Sequence, residues 1–153
     1  MSIEARLAEL GVVLPEPAVP LAIYKPAVQS GQHIYVSGQL ATRDGAVVHP
    51  GHLGGSVTVE QGHEAARVAG INVLAAVRGL RGNLEGLRIV RLVGYVASAP
   101  EFDQHPAVVN GASELMRDVF GEDAGVGVRL AFGVAALPAR SPVEIEVLFE
   151  ITG

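Results

Sequence analysis

Residues 129–147, RLAFGVAALPARSPVEIEV, set one cation in an apolar run and two carboxylates in the next. Residues 129–138 have strand-like patterning, the Pro-Ala-Arg-Ser-Pro at 138–142 is turn-like, and Val143, Glu144, Ile145, Glu146 and Val147 alternate apolar with acidic. Two adjacent strands are expected. A guanidinium stays charged under ordinary conditions and is costly to bury alone. Arg129 therefore needs a carboxylate or phosphate partner, which is either Glu144 or Glu146, or a ligand. The two glutamates share one strand face, and a carboxylate within hydrogen-bond reach of a reacting group can do general acid–base work. The five histidines, His33, His49, His52, His63 and His105, form no HxH or HExxH spacing, and the closest two, His49 and His52, lie three apart in a Gly/Pro loop. They read as surface residues with no metal site. The chain has no cysteine, which excludes disulfides, thiol chemistry and thiolate metal centres.

The elements that must position these groups can be read in order. Ser2 caps a helix running to about Leu10 with Gly11 as its stop, and Pro15, Pro17 and Pro20 force an extended arm over the surface. Residues 23–29 and 33–37 form a hairpin around Ser30-Gly31-Gln32, Arg43-Asp44-Gly45 marks a turn, and residues 49–55 are a Gly-rich loop. Thr58 begins the strongest helix, with Gln61 as its capping-box partner and Ala65, Ala69, Val73, Val77 and Leu80 at helical spacing. A strand follows at 87–98, then a turn at 100–106, where His105 precedes Pro106 at the start of a helix ending near Phe120-Gly121. Few βα repeats and no GxGxxG or Walker signature favour an α+β domain with two main helices on one face of a mixed sheet.

At 153 residues the chain suits one domain, divided as a helix and Pro-rich arm over residues 1–22 and the domain proper over residues 23–153. It is 49% hydrophobic but only 5% aromatic, an excess of small apolar side chains for which a subunit interface is one outlet. With 11 basic and 16 acidic residues the net charge is -5, which disfavours non-specific binding to nucleic acid or anionic membrane. No window reaches the roughly 18 apolar residues of a membrane span, and the N-terminus lacks a basic and apolar leader, so a soluble cytoplasmic protein is expected.

Three separated matches resemble one known family. Ser37-Gly38-Gln39 at a strand end is similar to that family's SGQ. Val109-Asn110-Gly111 falls where the family has VN, and Arg129 to Leu137-Pro138 followed by Val143-Glu144-Ile145-Glu146 resembles its R-x7-LP…(I/V)EIE ending. On these residues the chain is identified as a member of the RidA, YjgF-like or L-PSP endoribonuclease-like family, over about residues 24–151. The N-terminal extension resembles that of a divergent subgroup.

The resemblance implies a chorismate-mutase-like fold and a homotrimer with a barrel-like core, helices outside and clefts between neighbours. It implies hydrolysis of reactive 2-imino acids and enamines, such as 2-aminoacrylate, to keto acids and ammonia, with no metal or organic cofactor. Arg129 would clamp the substrate carboxylate and Glu144 would handle the water, while Ser37, Gly38 and Asn110 line the cleft. Ala131 stands where many relatives have a Cys whose backbone carbonyl positions water. Regular alternation would point Arg129 and Ala131 to the cleft and Leu130 and Phe132 to the core. Two departures bear on substrate: Ala27 replaces the usual hairpin Tyr, with Tyr24 three positions earlier, and Leu130-Ala131-Phe132-Gly133 replaces small and acidic residues. One alternative is a keto-acid binder without turnover. The family's ribonuclease or translation-inhibitor labels are disfavoured by the acidic charge and by the lack of a basic aromatic strip or paired histidines.

Overall fold

The protein is described over residues 1–153 by a computed structural model. Helix α1 spans Ile3–Glu9, and the Ser2 hydroxyl accepts from the Ala5 N–H at 3.1 Å. The arm after it has no regular structure. Val12 and Leu14 are nonetheless buried, and the Arg78 guanidinium donates to the Leu14 carbonyl at 3.2 Å.

Strands β1 (Ala27–Ser30) and β2 (His33–Val36) form the expected hairpin, but β1 starts four residues later than the sequence pattern suggests. Pro26, which precedes it, has no N–H to give a ladder. Short strands β3 (Gln39–Leu40), β4 (Thr42–Arg43) and β5 (Ala46–Val47) follow. Helix α2, Val59–Arg81, opens with the Thr58–Gln61 capping box and stops at Gly82, whose φ of 85° is left-handed. Ala65, Ala69, Val73 and Val77 are fully buried, whereas Leu80, in the last turn, is 43% exposed. Strand β6 is Leu87–Ala97, and helix α3, His105–Gly125, breaks at Gly121, where its end is expected. Strand β7 is Val128–Val134, three residues short of the 3₁₀ turn at Pro138–Arg140, and β8 is Val143–Ile151.

The main sheet has the order β1-β2-β8-β6-β7, with β3 also on β8. Only β6 and β7 are parallel. The mixed sheet with α2 and α3 on one face is the expected architecture. The expected adjacency of the Arg129 strand and the Glu144 strand is not found, because β6 lies between them. The α3 crossover returns β7 parallel to β6 on one edge, and β8 holds the other edge antiparallel.

Register assigns the faces. Val143, Ile145, Val147 and Phe149 point into the helix-covered core, so Glu144 and Glu146 point to the open face. Phe149, fully buried, anchors this core, and its truncation to Ala should cost about 3–5 kcal/mol. Arg129 pairs with buried Leu92 and Ala131 with Gly94, which puts both on the helix side. Leu130 pairs with Val93 and Phe132 with Tyr95, on the open side. Leu130 and Phe132 therefore do not face the core. They are 49% and 41% exposed, because α3 covers the Arg129 face instead.

Candidate functional site

The first half of the site is built by β7 and α3. Asn110 and Ser113 lie three apart on one helix face, above Arg129. The Arg129 Nη1 donates to Asn110 Oδ1 at 2.7 Å and to Ser113 Oγ at 3.2 Å. No carboxylate ion-pairs with Arg129. The two glutamates that could have done so project from the opposite face. Neutral oxygens thus orient the guanidinium and leave its Nε and Nη2 donors free, the fork that takes a planar anion in two parallel bonds. A hollow of about 210 Å³, lined by Ser113, Gly125, Val128 and Arg129 among others, opens beside it. Ala131 lies on this same helix side, partly buried. No sequence motif singles out Ser113, and its spacing of three from Asn110 is the one signal that points to it.

The second half is a cavity of about 370 Å³ lined by Leu21, Ala22, Tyr24, Ser37, Gly38, Leu40, Pro138 and Glu144. Ser37 is fixed by donating its hydroxyl to the Lys25 carbonyl. A Cβ at Gly38 would lie 2.8 Å from the Glu144 carboxyl carbon, so the carboxylate occupies the space that any other residue there would fill. Burial, and then the charge of Glu146, hold the Glu144 carboxyl above its ordinary pKa. The two glutamates differ in their bonding. Glu146 accepts from the Tyr95 hydroxyl, whose pKa is pushed up to about 12 by that bond, by burial and by the two carboxylates. Glu144 accepts no hydrogen bond from the protein and faces the cavity.

Tyr24 enters this cavity from the end of the arm, its hydroxyl accepting from the Leu21 N–H at 3.4 Å. Ala27, the hairpin position, is 8% exposed and turned to the core. The sequence candidates are therefore brought together in two groups, Arg129 with Asn110 and Ala131, and Glu144 with Ser37 and Gly38. The sheet separates the groups. Four of the five histidines have separate partners: His49 meets Glu64 at 2.8 Å, His63 meets Glu114 at 2.9 Å, His52 meets the Ala135 carbonyl at 2.7 Å and His105 meets Ser98 Oγ at 3.1 Å.

Residues 4–151 match the family described as "YjgF/chorismate_mutase-like, putative endoribonuclease". The chain belongs to this family. Among curated proteins, this YjgF-like chain is 40% identical to Protein TCP17 of Trypanosoma cruzi over 97% of its own length and 94% of the relative's. Among solved structures it resembles a protein of unknown function from Agrobacterium tumefaciens, with 40% identity, a TM-score of 0.88, and 99% and 93% of the two chains covered. It also resembles a protein from Shewanella oneidensis named as a putative endoribonuclease, with 31% identity, a TM-score of 0.93, and 98% and 99% covered. The YjgF-like chain thus has the chorismate-mutase-like fold. No helix in it is long and apolar enough to cross a membrane.

Proposed function

We propose that this YjgF-like chain is an imine/enamine deaminase that hydrolyses reactive 2-imino acids to 2-keto acids and ammonia. The observation that carries this reading is the Arg129 guanidinium, held in place by Asn110 and Ser113 with no carboxylate to neutralise it. A substrate carboxylate supplies the missing charge in two parallel bonds and leaves the imine carbon free. The Glu144 carboxylate deprotonates or orients the water that attacks this carbon. The added hydroxyl then collapses to the ketone as the nitrogen, protonated, leaves as ammonia. Ser37 and Gly38 line the approach, and Ala131 contributes only its backbone.

Arg129 and Glu144 lie on opposite faces of one sheet, so a single chain does not present both to one substrate. The reading accordingly requires a homotrimer in which one copy's Arg129 faces a neighbour's Glu144. Support for it comes from the open sheet face, where Val28, Tyr35, Leu130 and Phe132 are each more than 40% exposed. No step calls for a metal or organic cofactor, and the site, divided between subunits, acts on a small imino or keto acid. A second reading, a keto-acid binder without turnover, is favoured by the loss of the hairpin Tyr at Ala27.

The test is a semicarbazide competition. An amino-acid oxidase generates imines from a panel of amino acids, and the protein is scored for diverting them from trapping. Diversion that vanishes in Arg129→Ala supports the deaminase. No diversion, with thermal stabilisation by 2-ketobutyrate, leaves the binder. RNA cleavage that depends on Arg129 would replace both.

A further inference from the structure

A hollow of about 600 Å³ lies away from Arg129 and Glu144, between the N-terminal arm, the β4–β5 hairpin and one face of α2. Small-molecule sites run to about 300–1,000 Å³. Val13, Pro15, Ala18 and Val19 of the arm form one apolar wall, and Val68 and Ile71 of α2 form the floor.

Asn72, beside them, is only 6% exposed. Its amide nitrogen donates to the Leu40 carbonyl at 3.0 Å, the Thr42 carbonyl at 2.9 Å and the Thr42 hydroxyl at 3.2 Å. Two carbonyl acceptors fix which end of the amide is nitrogen, so the oxygen points away from β3 and β4. That oxygen receives no hydrogen bond from the protein. No fully buried polar side-chain atom lacks a partner, so the unpartnered Asn72 Oδ1 is open to solvent, and Asn72 lines the hollow. An amide oxygen can only accept, and its occupant must bring an N–H or O–H.

The charge of the rim narrows the choice. Glu16 and Asp44 line the hollow and form no ion pair, whereas the Arg43 guanidinium is already 3.5 Å from Glu64. An anionic ligand would meet two free carboxylates and one engaged cation. An ammonium ion would meet the same groups with the sign of each interaction reversed.

We propose that this hollow binds a small primary amine with an apolar body. One ammonium N–H is directed at Asn72 Oδ1, the charge is answered by Glu16 and Asp44, and the apolar body lies between the arm and α2. The site is independent of the deaminase reading, since no residue of it belongs to either half of the candidate active site.

The probe is 2-phenylethylamine, a cation at neutral pH, with 3-phenylpropanoate as its size-matched anion, each titrated into the full chain and followed by amide NMR. The amine should shift Ile71 and both the backbone and side-chain amides of Asn72, with a dissociation constant of about 1 mM or tighter. The acid should leave them unmoved. Ile71→Trp, which fills the floor, should abolish the shifts, and Glu16→Gln with Asp44→Asn should weaken binding several-fold. Equal response to amine and acid, no response to either, or binding that survives Ile71→Trp would overturn the proposal. Should Ile71→Trp not fold, the amine-against-acid pair and the neutralised variant decide it.

Discussion

The sheet contains two arginine–glutamate relationships with opposite outcomes. Arg88 and Glu150 are direct cross-strand partners on β6 and β8, and their side chains meet at 2.9 Å. Arg129 and Glu144 are separated only by β6, yet they occupy opposite faces and neither has an ion pair. The first pair is spent on itself, which at an exposed site contributes about 0–1 kcal/mol. In the second, each charge is held by other means. Neutral oxygens on α3 orient Arg129, while the backbone at Gly38 and the apolar wall of Leu21, Leu40 and Pro138 surround Glu144. Opposite charges kept from each other remain available to a ligand.

The largest effect that can break this comparison uses two dead variants together. Arg129→Ala and Glu144→Gln should each remove essentially all imine diversion, and Arg129→Lys should not rescue because an ammonium lacks the fork. If the two halves of a site come from neighbouring copies, unfolding and reassembling the variants as a mixture places an intact Arg129 against an intact Glu144 in about a quarter of the sites. Recovery of roughly that share of wild-type rate is expected. A mixture as inactive as its parts would show that the two residues do not meet across a subunit boundary and would remove the trimer from the mechanism.

The pH profile separates the two glutamates. Glu144 must be ionised to take a proton from water, and burial together with Glu146 raises its pKa above the ordinary 4.5. Activity should thus rise with pH along a limb lying above that value. Glu146→Gln removes the like charge while keeping an acceptor for the Tyr95 hydroxyl. The limb should move to lower pH, with a modest change in plateau rate. A limb that stays in place in kcat/KM would mean that some other group titrates.

Much of this arrangement was legible in the chain. The Thr58–Gln61 capping box and the small-residue stripe of α2 set that helix by local rules, and the Arg129 to Glu146 spacing marked the chemistry. The facing of β7 was not legible. Alternation says that Arg129 and Leu130 lie on opposite sides, but not which side α3 covers, and the apolar character of Leu130 and Phe132 points them to the core. The adjacency of β7 and β8 that the sequence suggests fails for a similar reason. A short connection suggests a hairpin, and only the α3 crossover shows that β6 takes the place between them. Tyr24 reaches the Glu144 cavity through the arm, whose path depends on where Leu14 and Arg78 meet.

A smaller effect tests how closely the backbone confines Glu144. Gly38→Ala adds a methyl where the Glu144 carboxyl carbon is 2.8 Å away, so the carboxylate must swing aside. The reacting groups are then displaced by a distance of the kind that costs up to about 10²-fold in rate. Melting temperature should change little, because the side chain that moves ends in an open cavity. Full activity in Gly38→Ala would show that the carboxylate position is not set by this contact.

The smallest effect is on stability, and its sign differs between the two arginine–glutamate relationships. For Glu144 the folded pKa is raised, so the fold favours the protonated acid, and the ionised form weakens the fold once pH rises through the folded pKa. Glu144→Gln, neutral at every pH, should therefore melt higher than wild type at neutral pH. Each 1 kcal/mol of such a gain would appear as about 2–4 °C in a domain of this size. The gain should shrink as pH falls through the folded pKa and vanish below the ordinary 4.5, where the unfolded side chain is protonated too. Glu150→Gln removes an ion pair with Arg88 and should instead leave the melting temperature unchanged or slightly lower at neutral pH. Thermal melts of both variants across this range check the contrast. If Glu144→Gln lowers the melting temperature at neutral pH, the carboxylate is a structural partner like Glu150, and the reason for assigning it to a ligand is lost.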